Sequence, residues 1–258
     1  MMGISIAGFD PSGGAGIIAD MKTFSSLGIH GTGVITALTT QNPSKVFSIQ
    51  PIATDYIQEQ IDSIFDEYRD YISYGKTGML YSPEIIKTIA KKITEYNLKI
   101  VVDPVMVASA GGNLSQSKTA TALKKYLLPY SFLVTPNIQE AELLSGIKIA
   151  TRDDAIRAAE KIGKICDVVI TGGHLEGINT ISIDGEISIL KKDLIKTKNT
   201  HGSGCTFSAA LAGYMIKNNN QNEAIKKSLD FTKLSIKNGN YGTLKQISSQ
   251  NHSYDYND

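Results

Sequence analysis

Lys198-Asn199-Thr200-His201-Gly202-Ser203-Gly204-Cys205-Thr206 runs directly into Phe207-Ser208-Ala209-Ala210-Leu211-Ala212. A turn with two glycines ahead of a small-residue, helix-favouring run can aim several backbone N–H groups at one point. The first N–H groups of a helix have no partner inside it and the dipole is positive there, so a phosphate fits that point. Gly202 and Gly204 can adopt positive φ and let a ligand approach the backbone closely. Cys205 stands at the helix start, where the same field favours a thiolate, so its pKa is expected to fall. A thiolate there can take a proton from an attacking hydroxyl as a general base. The local alternative is a plain Gly-x-Gly turn followed by a small packed Cys.

The composition sets limits on the remaining classes. The 258 residues suffice for one large α/β domain spanning 1–258, with the polar end 248–258 expected to fray. Hydrophobic residues make up 41% and charged residues 20%, which is ordinary globular usage and argues against disorder or a fibrous class. A net charge of +1 offers no basic excess for nucleic acid. Cys166 and Cys205 form neither a disulfide framework nor a metal-ligand spacing, so a reducing cytoplasm is expected. No run approaches the ~18 consecutive apolar residues of a membrane span.

In chain order, Ile4–Ala7 reads as a strand, Gly8 to Gly16 as a glycine-rich loop and Ile17 to Leu27 as a helix stopped by Gly28. The Gly13-Gly14-x-Gly16 spacing differs from a dinucleotide fingerprint, and no acidic residue closes a second strand. Asp20, one turn into that helix, either faces the loop or is a solvated helix residue. Gly33 to Asn42 reads as a strand that places Gln41 at its carboxyl end, where ligands of open α/β sheets gather. The Gln41 amide offers a donor and an acceptor to an amino-bearing heteroaromatic ring, or it satisfies a turn.

Further helices are expected over 55–68, after Ser82-Pro83, from Thr151 to about Lys164 and over 222–238. Strands are expected at 71–76 and 99–103, a strand ending in a turn at 131–137 and a strand then loop over 167–173, with a hairpin at 180–190 around Asp184-Gly185. Asp103 ends one strand and either serves a cation or caps the next loop. Asn137 and Glu140 have capping-box spacing. Alternating strands and helices predict a mostly parallel central sheet with an antiparallel hairpin and right-handed crossovers.

Several stretches together resemble the hydroxymethylpyrimidine/phosphomethylpyrimidine kinases of thiamine biosynthesis, in the ribokinase-like superfamily. They are Ala7 to Gly16, Val34 to Leu38, Gln41-Asn42, Lys76 to Leu80, Val102 to Met106, Thr135-Pro136-Asn137 with Glu140-Ala141, Gly172-Gly173-His174, and Asn199 to Thr206. The resemblance implies a three-layer α/β/α sandwich. It implies phosphoryl transfer from ATP to 4-amino-5-hydroxymethyl-2-methylpyrimidine and then to its monophosphate, with Mg²⁺; the sequence leaves open whether a monovalent cation assists. By position, Gly202, Ser203, Gly204 and Cys205 would form the anion hole, with Cys205 as base. Gln41, Asp20, Gly8, Ala15, Met79 and Val105 would line the pyrimidine pocket. Asp103, Asn137, Thr171 and Glu140 would face the triphosphate, Glu140 and Asp103 on the metal side, acting through metal-bound water. The resemblance also implies a homodimer.

Two departures stand out. Relatives often carry Lys where this chain has Thr171, and Gly239-Asn240-Tyr241-Gly242-Thr243 matches the family's C-terminal segment poorly. Rival readings are a pyridoxal or pyridoxine kinase, a thiol hydrolase using Cys205 as nucleophile, and a non-catalytic pyrimidine-binding module. The hydrolase reading lacks an activating base, since the only nearby His is His201 of the loop itself.

Overall fold

The computed structural model describes residues 1–106, 112–173 and 175–248. His174 and residues 249–258, most of the end expected to fray, lie outside them. Ser248, the first residue of that end, is buried.

Among the described residues, nine strands form one sheet: β1 (Met2–Phe9), β2 (His30–Asn42), β3 (Lys45–Pro51), β4 (Tyr74–Thr77), β5 (Lys99–Val102), β6 (Leu133–Val134), β7 (Asp167–Ile170), β8 (Ile178–Ile183) and β9 (Glu186–Lys191). Their spatial order is β3-β2-β1-β4-β5-β6-β7-β8-β9. The six central strands β2, β1, β4, β5, β6 and β7 run parallel. The expected hairpin is β8–β9, and its Asp184 and Gly185 take positive φ at the turn. A second antiparallel strand, β3, caps the other edge. Its largely exposed, mixed run Lys45-Val46-Phe47-Ser48-Ile49-Gln50 presents no buried face that would have announced it.

Eight α-helices flank the described sheet: α1 (Gly16–Ser26), α2 (Thr54–Tyr68), α3 (Pro83–Glu95), α4 (Gly112–Ala122), α5 (Ile138–Ser145), α6 (Arg152–Gly163), α7 (Ser203–Ile216) and α8 (Gln221–Lys237). Local chemistry sets several starts. Ser82 accepts the Ile85 N–H with Pro83 in the first turn, and Asn137 and Thr151 each close a capping box. One buried cluster packs α2, α3, α5 and α6 on one face, through residues such as Ile61, Ile86 and Ala158. A second packs α1, α7 and α8 on the other, through Phe24, Leu211 and Phe231. The result is the expected three-layer α/β/α sandwich. Helix α7 is apolar and small-residue-rich almost throughout, which suits a helix buried in the middle of a layer.

Candidate active site

The carboxyl ends of the parallel strands converge on the start of α7. Gly202 precedes that helix with φ +89°, and a Cβ there would lie 1.7 Å from the Gly14 carbonyl oxygen. Only glycine fits. The Ser203 N–H donates to Thr200 O at 3.1 Å, and the helical ladder begins with Thr206 N–H to Gly202 O at 2.9 Å. The Gly204 and Cys205 N–H groups are thus left without acceptors in the first turn, with Gly204 exposed. Unlike Gly202, Gly204 is helical, so its value lies in the missing side chain rather than in positive φ.

The glycine loop after β1 is pinned by Asp10. Its buried carboxylate accepts from the Ser12 N–H and hydroxyl and from the Ala15 N–H, each at 2.9 Å. It also faces His201 Nε2 at 2.7 Å, which ties the loop to the turn before α7. Burial works to raise the Asp10 pKa, but His201 and Ser12 hold it below its ordinary value. Gly8 lies beneath the Met79 side chain, and Ala15 and Val105 are partly exposed. Gln41, near the end of β2, contacts Thr39 and His201.

Beneath the helix terminus sits a buried charge cluster. Lys76 Nζ lies 3.1 Å from Asp20 Oδ1 and 3.7 Å from Asp103 Oδ2. Burial alone would lower the Lys76 pKa, but Asp20, Cys205 and Asp103 raise it above its ordinary value. Burial raises Asp20 and Asp103, with Lys76 opposing in both cases. Asp103 also accepts from Ser208 Oγ at 3.2 Å, and its charge acts on the Cys205 thiol.

Two expectations are corrected here. Cys205 is partly exposed as a residue, but burial of its thiol raises the pKa; Lys76 opposes this, and Asp103 and Asp20 add to it. The helix field is outweighed by desolvation and two carboxylates, so the resting group is a thiol. Asp20 is neither solvated nor open to a ligand: it is fully buried, bonded to Ser5 and Lys76.

Asp103, Asn137 and Thr171 follow β5, β6 and β7 in adjacent positions. Thr171 N–H donates to Pro136 O at 2.9 Å, which sets Thr171 beside Asn137. Glu140 completes the capping box with Asn137 at 2.9 and 3.0 Å. Burial, reinforced by the Asp103 charge, pushes the Glu140 carboxyl up to about 8. No group of three potential metal-ligating side chains occurs among the described residues. Asp103 and Glu140 are near enough for the Asp103 charge to act on Glu140, and two carboxylates with phosphate oxygens would match the sparse protein ligation that Mg²⁺ accepts. A cleft beyond Thr171 is lined by Asn179, Lys192, Lys233, Ser203, Gly204 and Phe207, so the start of α7 borders it at Gly204.

Sequence reasoning missed Asp10, His201 and Lys76 as site-building residues. A lysine inside the otherwise buried β4 was the available signal.

A family model described as phosphomethylpyrimidine kinase matches residues 10–249. The chain belongs to the phosphomethylpyrimidine kinase family. This family member is 39% identical over 242 residues to the hydroxymethylpyrimidine/phosphomethylpyrimidine kinase of Bacillus subtilis, covering 91% of this chain and 89% of that one. It is 40% identical over 240 residues to a thiamine biosynthesis bifunctional protein of Geobacter sulfurreducens, covering 91% of this chain and 49% of that longer one. Among solved structures, an ADP complex of Bacillus subtilis pyridoxal kinase superposes with a TM-score of 0.86 at 36% identity, covering 95% of this chain and 96% of that one. As a phosphomethylpyrimidine kinase family member, the chain is a phosphotransferase with a ribokinase-like fold that uses ATP and a small-molecule substrate. No described helix is long and apolar enough to cross a membrane.

Proposed function

We propose that the chain, acting as one kinase unit over 1–258, phosphorylates 4-amino-5-hydroxymethyl-2-methylpyrimidine with ATP and then phosphorylates the monophosphate, in thiamine diphosphate synthesis. The observation that carries this is the pair of unengaged amides at Gly204 and Cys205. On one side the glycine loop and Gln41 meet the turn through Gly14, Asp10 and His201, and on the other Gly204 borders a cleft with Thr171, Lys192 and Lys233. One anion position thus faces an acceptor side and a donor side, which in-line transfer requires.

In this reading, Gly202 shapes the turn, Ser203 closes it, and the Gly204 and Cys205 amides hold the migrating phosphoryl group. Gln41, Gly8, Ala15, Met79 and Val105 line the pyrimidine pocket. Asp20 acts from below by fixing Lys76. Asp103, Asn137, Thr171 and Glu140 border the triphosphate, with Asp103 and Glu140 holding Mg²⁺, directly or through its waters. That ion would supply charge neutralisation between phosphate oxygens. A monovalent cation is a further expected aid. Cys205 takes the proton of the alcohol while its own thiol proton passes to the neighbouring Asp103 carboxylate, whose charge acts on the thiol.

A phosphate nucleophile is already largely ionised near pH 7 and needs no strong base. Cys205→Ala is therefore expected to slow phosphorylation of the alcohol more than that of the monophosphate; equal loss in both steps removes the base role. The likeness to a pyridoxal kinase favours pyridoxal as a second substrate. ADP release with the pyrimidine alcohol, its monophosphate and pyridoxal separates these readings, and a preference for pyridoxal would displace the pyrimidine assignment. Exposed Leu38, Val46 and Phe47 near the β3 edge support a homodimer, and two free cysteines support a reducing, cytoplasmic setting.

A further inference from the structure

Resting on the reading that Gln41 contacts the pyrimidine, we propose that Thr39 and the Asp10–His201 pair lock the Gln41 side-chain amide in one orientation. Its carbonyl faces His201 and its amino group faces Thr39, so the choice of heterocycle is set before substrate arrives.

The oxygen and nitrogen of a glutamine amide exchange places by a half-turn that changes no volume, so neighbouring groups decide between the two orientations. As placed, Gln41 Oε1 lies 3.2 Å from Thr39 Oγ1 and Gln41 Nε2 lies 3.3 Å from His201 Nε2. His201 Nε2 is also 2.7 Å from Asp10 Oδ2. A carboxylate has no hydrogen to give, so the imidazole nitrogen facing it carries one, whatever the charge on the ring. That single hydrogen is committed to Asp10 and the nitrogen keeps no lone pair in the ring plane, so an amide N–H of Gln41 finds no acceptor there, whereas a carbonyl oxygen meets the positively polarised N–H edge of the ring.

The other neighbour gives the same answer independently. Thr39 Oγ1 donates to the Phe9 carbonyl at 2.9 Å, shorter than its contact with Gln41. A hydroxyl has one hydrogen, so toward Gln41 it can only accept, and an amide N–H must face it. Both ends therefore require the amide rotated by a half-turn.

In that state one lone pair on Oε1 and one N–H on Nε2 remain for a ligand, in fixed spatial order. An aminopyrimidine offers an exocyclic amino donor next to a ring-nitrogen acceptor and matches one order. Its 4-oxo counterpart offers an exocyclic acceptor next to a ring N–H and needs the reverse. A locked amide rejects the second compound; a free amide rotates and accepts it. His201 and Thr39 are thus positioning residues acting through Gln41.

The test compares kcat/KM for the aminopyrimidine alcohol and its 4-oxo counterpart, by ADP release, in wild type, Thr39→Val, Thr39→Ser, His201→Phe and Gln41→Ala. Wild type is expected to prefer the amino compound. Thr39→Val and His201→Phe are expected to shrink that preference about fivefold each, the scale of one ordinary hydrogen bond, mainly through a lower KM for the oxo compound. Thr39→Ser keeps the preference because it keeps the hydroxyl. A merely structural role for these side chains would weaken both substrates alike and leave their ratio unchanged.

Gln41→Ala separates the two layers of the argument. If it leaves the preference intact, Gln41 does not read the heterocycle and the reading beneath the proposal falls with it. If it erases the preference while Thr39→Val and His201→Phe retain it, the lock alone is overturned. Thermal unfolding of each variant checks the fold, and Thr39→Ala replaces Thr39→Val if the latter does not fold.

Discussion

Lys76 and Asp20 form an ion pair with Nζ 3.1 Å from Oδ1 and both side chains entirely buried, directly under the start of α7. Removing either partner leaves the other charged and enclosed. Lys76→Met is therefore expected to destabilise the protein by roughly 3–5 kcal/mol, whereas Lys76→Met with Asp20→Leu recovers a large part of the loss. Urea unfolding of the single and double variants measures this; a double variant as weak as the single one would show that the pair is not a unit.

The two thiols are expected to react sluggishly. Burial, with Asp167 adding to it, pushes the Cys166 thiol up to about 12, and burial also raises Cys205. Alkylation by iodoacetamide at pH 8 should be slow at both sites against an unstructured thiol and should rise only at strongly alkaline pH. Because Lys76 opposes the rise at Cys205, Lys76→Met should slow its alkylation further. Fast labelling of Cys205 at pH 7 would instead reveal a thiolate.

Glu140 gives a pH signature in the ligand-free protein. Its carboxyl is raised from 4.5 to about 8, so between those values the folded state retains a proton that the unfolded chain has released. The stability this group contributes is full below pH 4.5 and is lost as pH rises through 8. Glu140→Gln keeps a capping oxygen for the Asn137 N–H but cannot titrate. The melting temperature of wild type should thus fall relative to Glu140→Gln between pH 5 and 9. Parallel curves would place the Glu140 titration elsewhere.

The glycines at 202 and 204 should separate fold from chemistry. Gly202→Ala puts a methyl 1.7 Å from a backbone oxygen at φ +89° and is expected to prevent correct assembly of the site. At Gly204 a Cβ meets nothing closer than the Asp103 carboxylate at 3.9 Å, and the residue is helical. Gly204→Ala should preserve stability or raise it by about 0.5–1 kcal/mol, while cutting turnover because the methyl crowds a free amide. Circular dichroism melts beside ADP-release rates check both; an active Gly202→Ala or a fully active Gly204→Ala contradicts the assignment.

Much of this arrangement could be read from the chain. Ser82-Pro83, Asn137 with Glu140, Thr151 with Asp154, and Asp184-Gly185 announced their caps and turn because local hydrogen bonding decides them. The turn at Gly202 was legible for the same reason. Strand β3 was not, because an edge strand exposed on both faces leaves no periodic apolar stripe. The Cys205 error arose where a local field competes with tertiary burial, since Asp20, Lys76 and Asp103 come from three separate elements. Asp10 and His201 were invisible as a pair because only the folded sheet brings opposite ends of the sequence together.

The carbonyl of Gly14 occupies the spot where any side chain at position 202 would begin. The loop after β1 and the turn before α7 are thereby mated like two faces of a dovetail joint, with Asp10 and His201 as the peg. A closing motion that kept this joint would carry both loops together and preserve the aim of the alcohol at the helix amides.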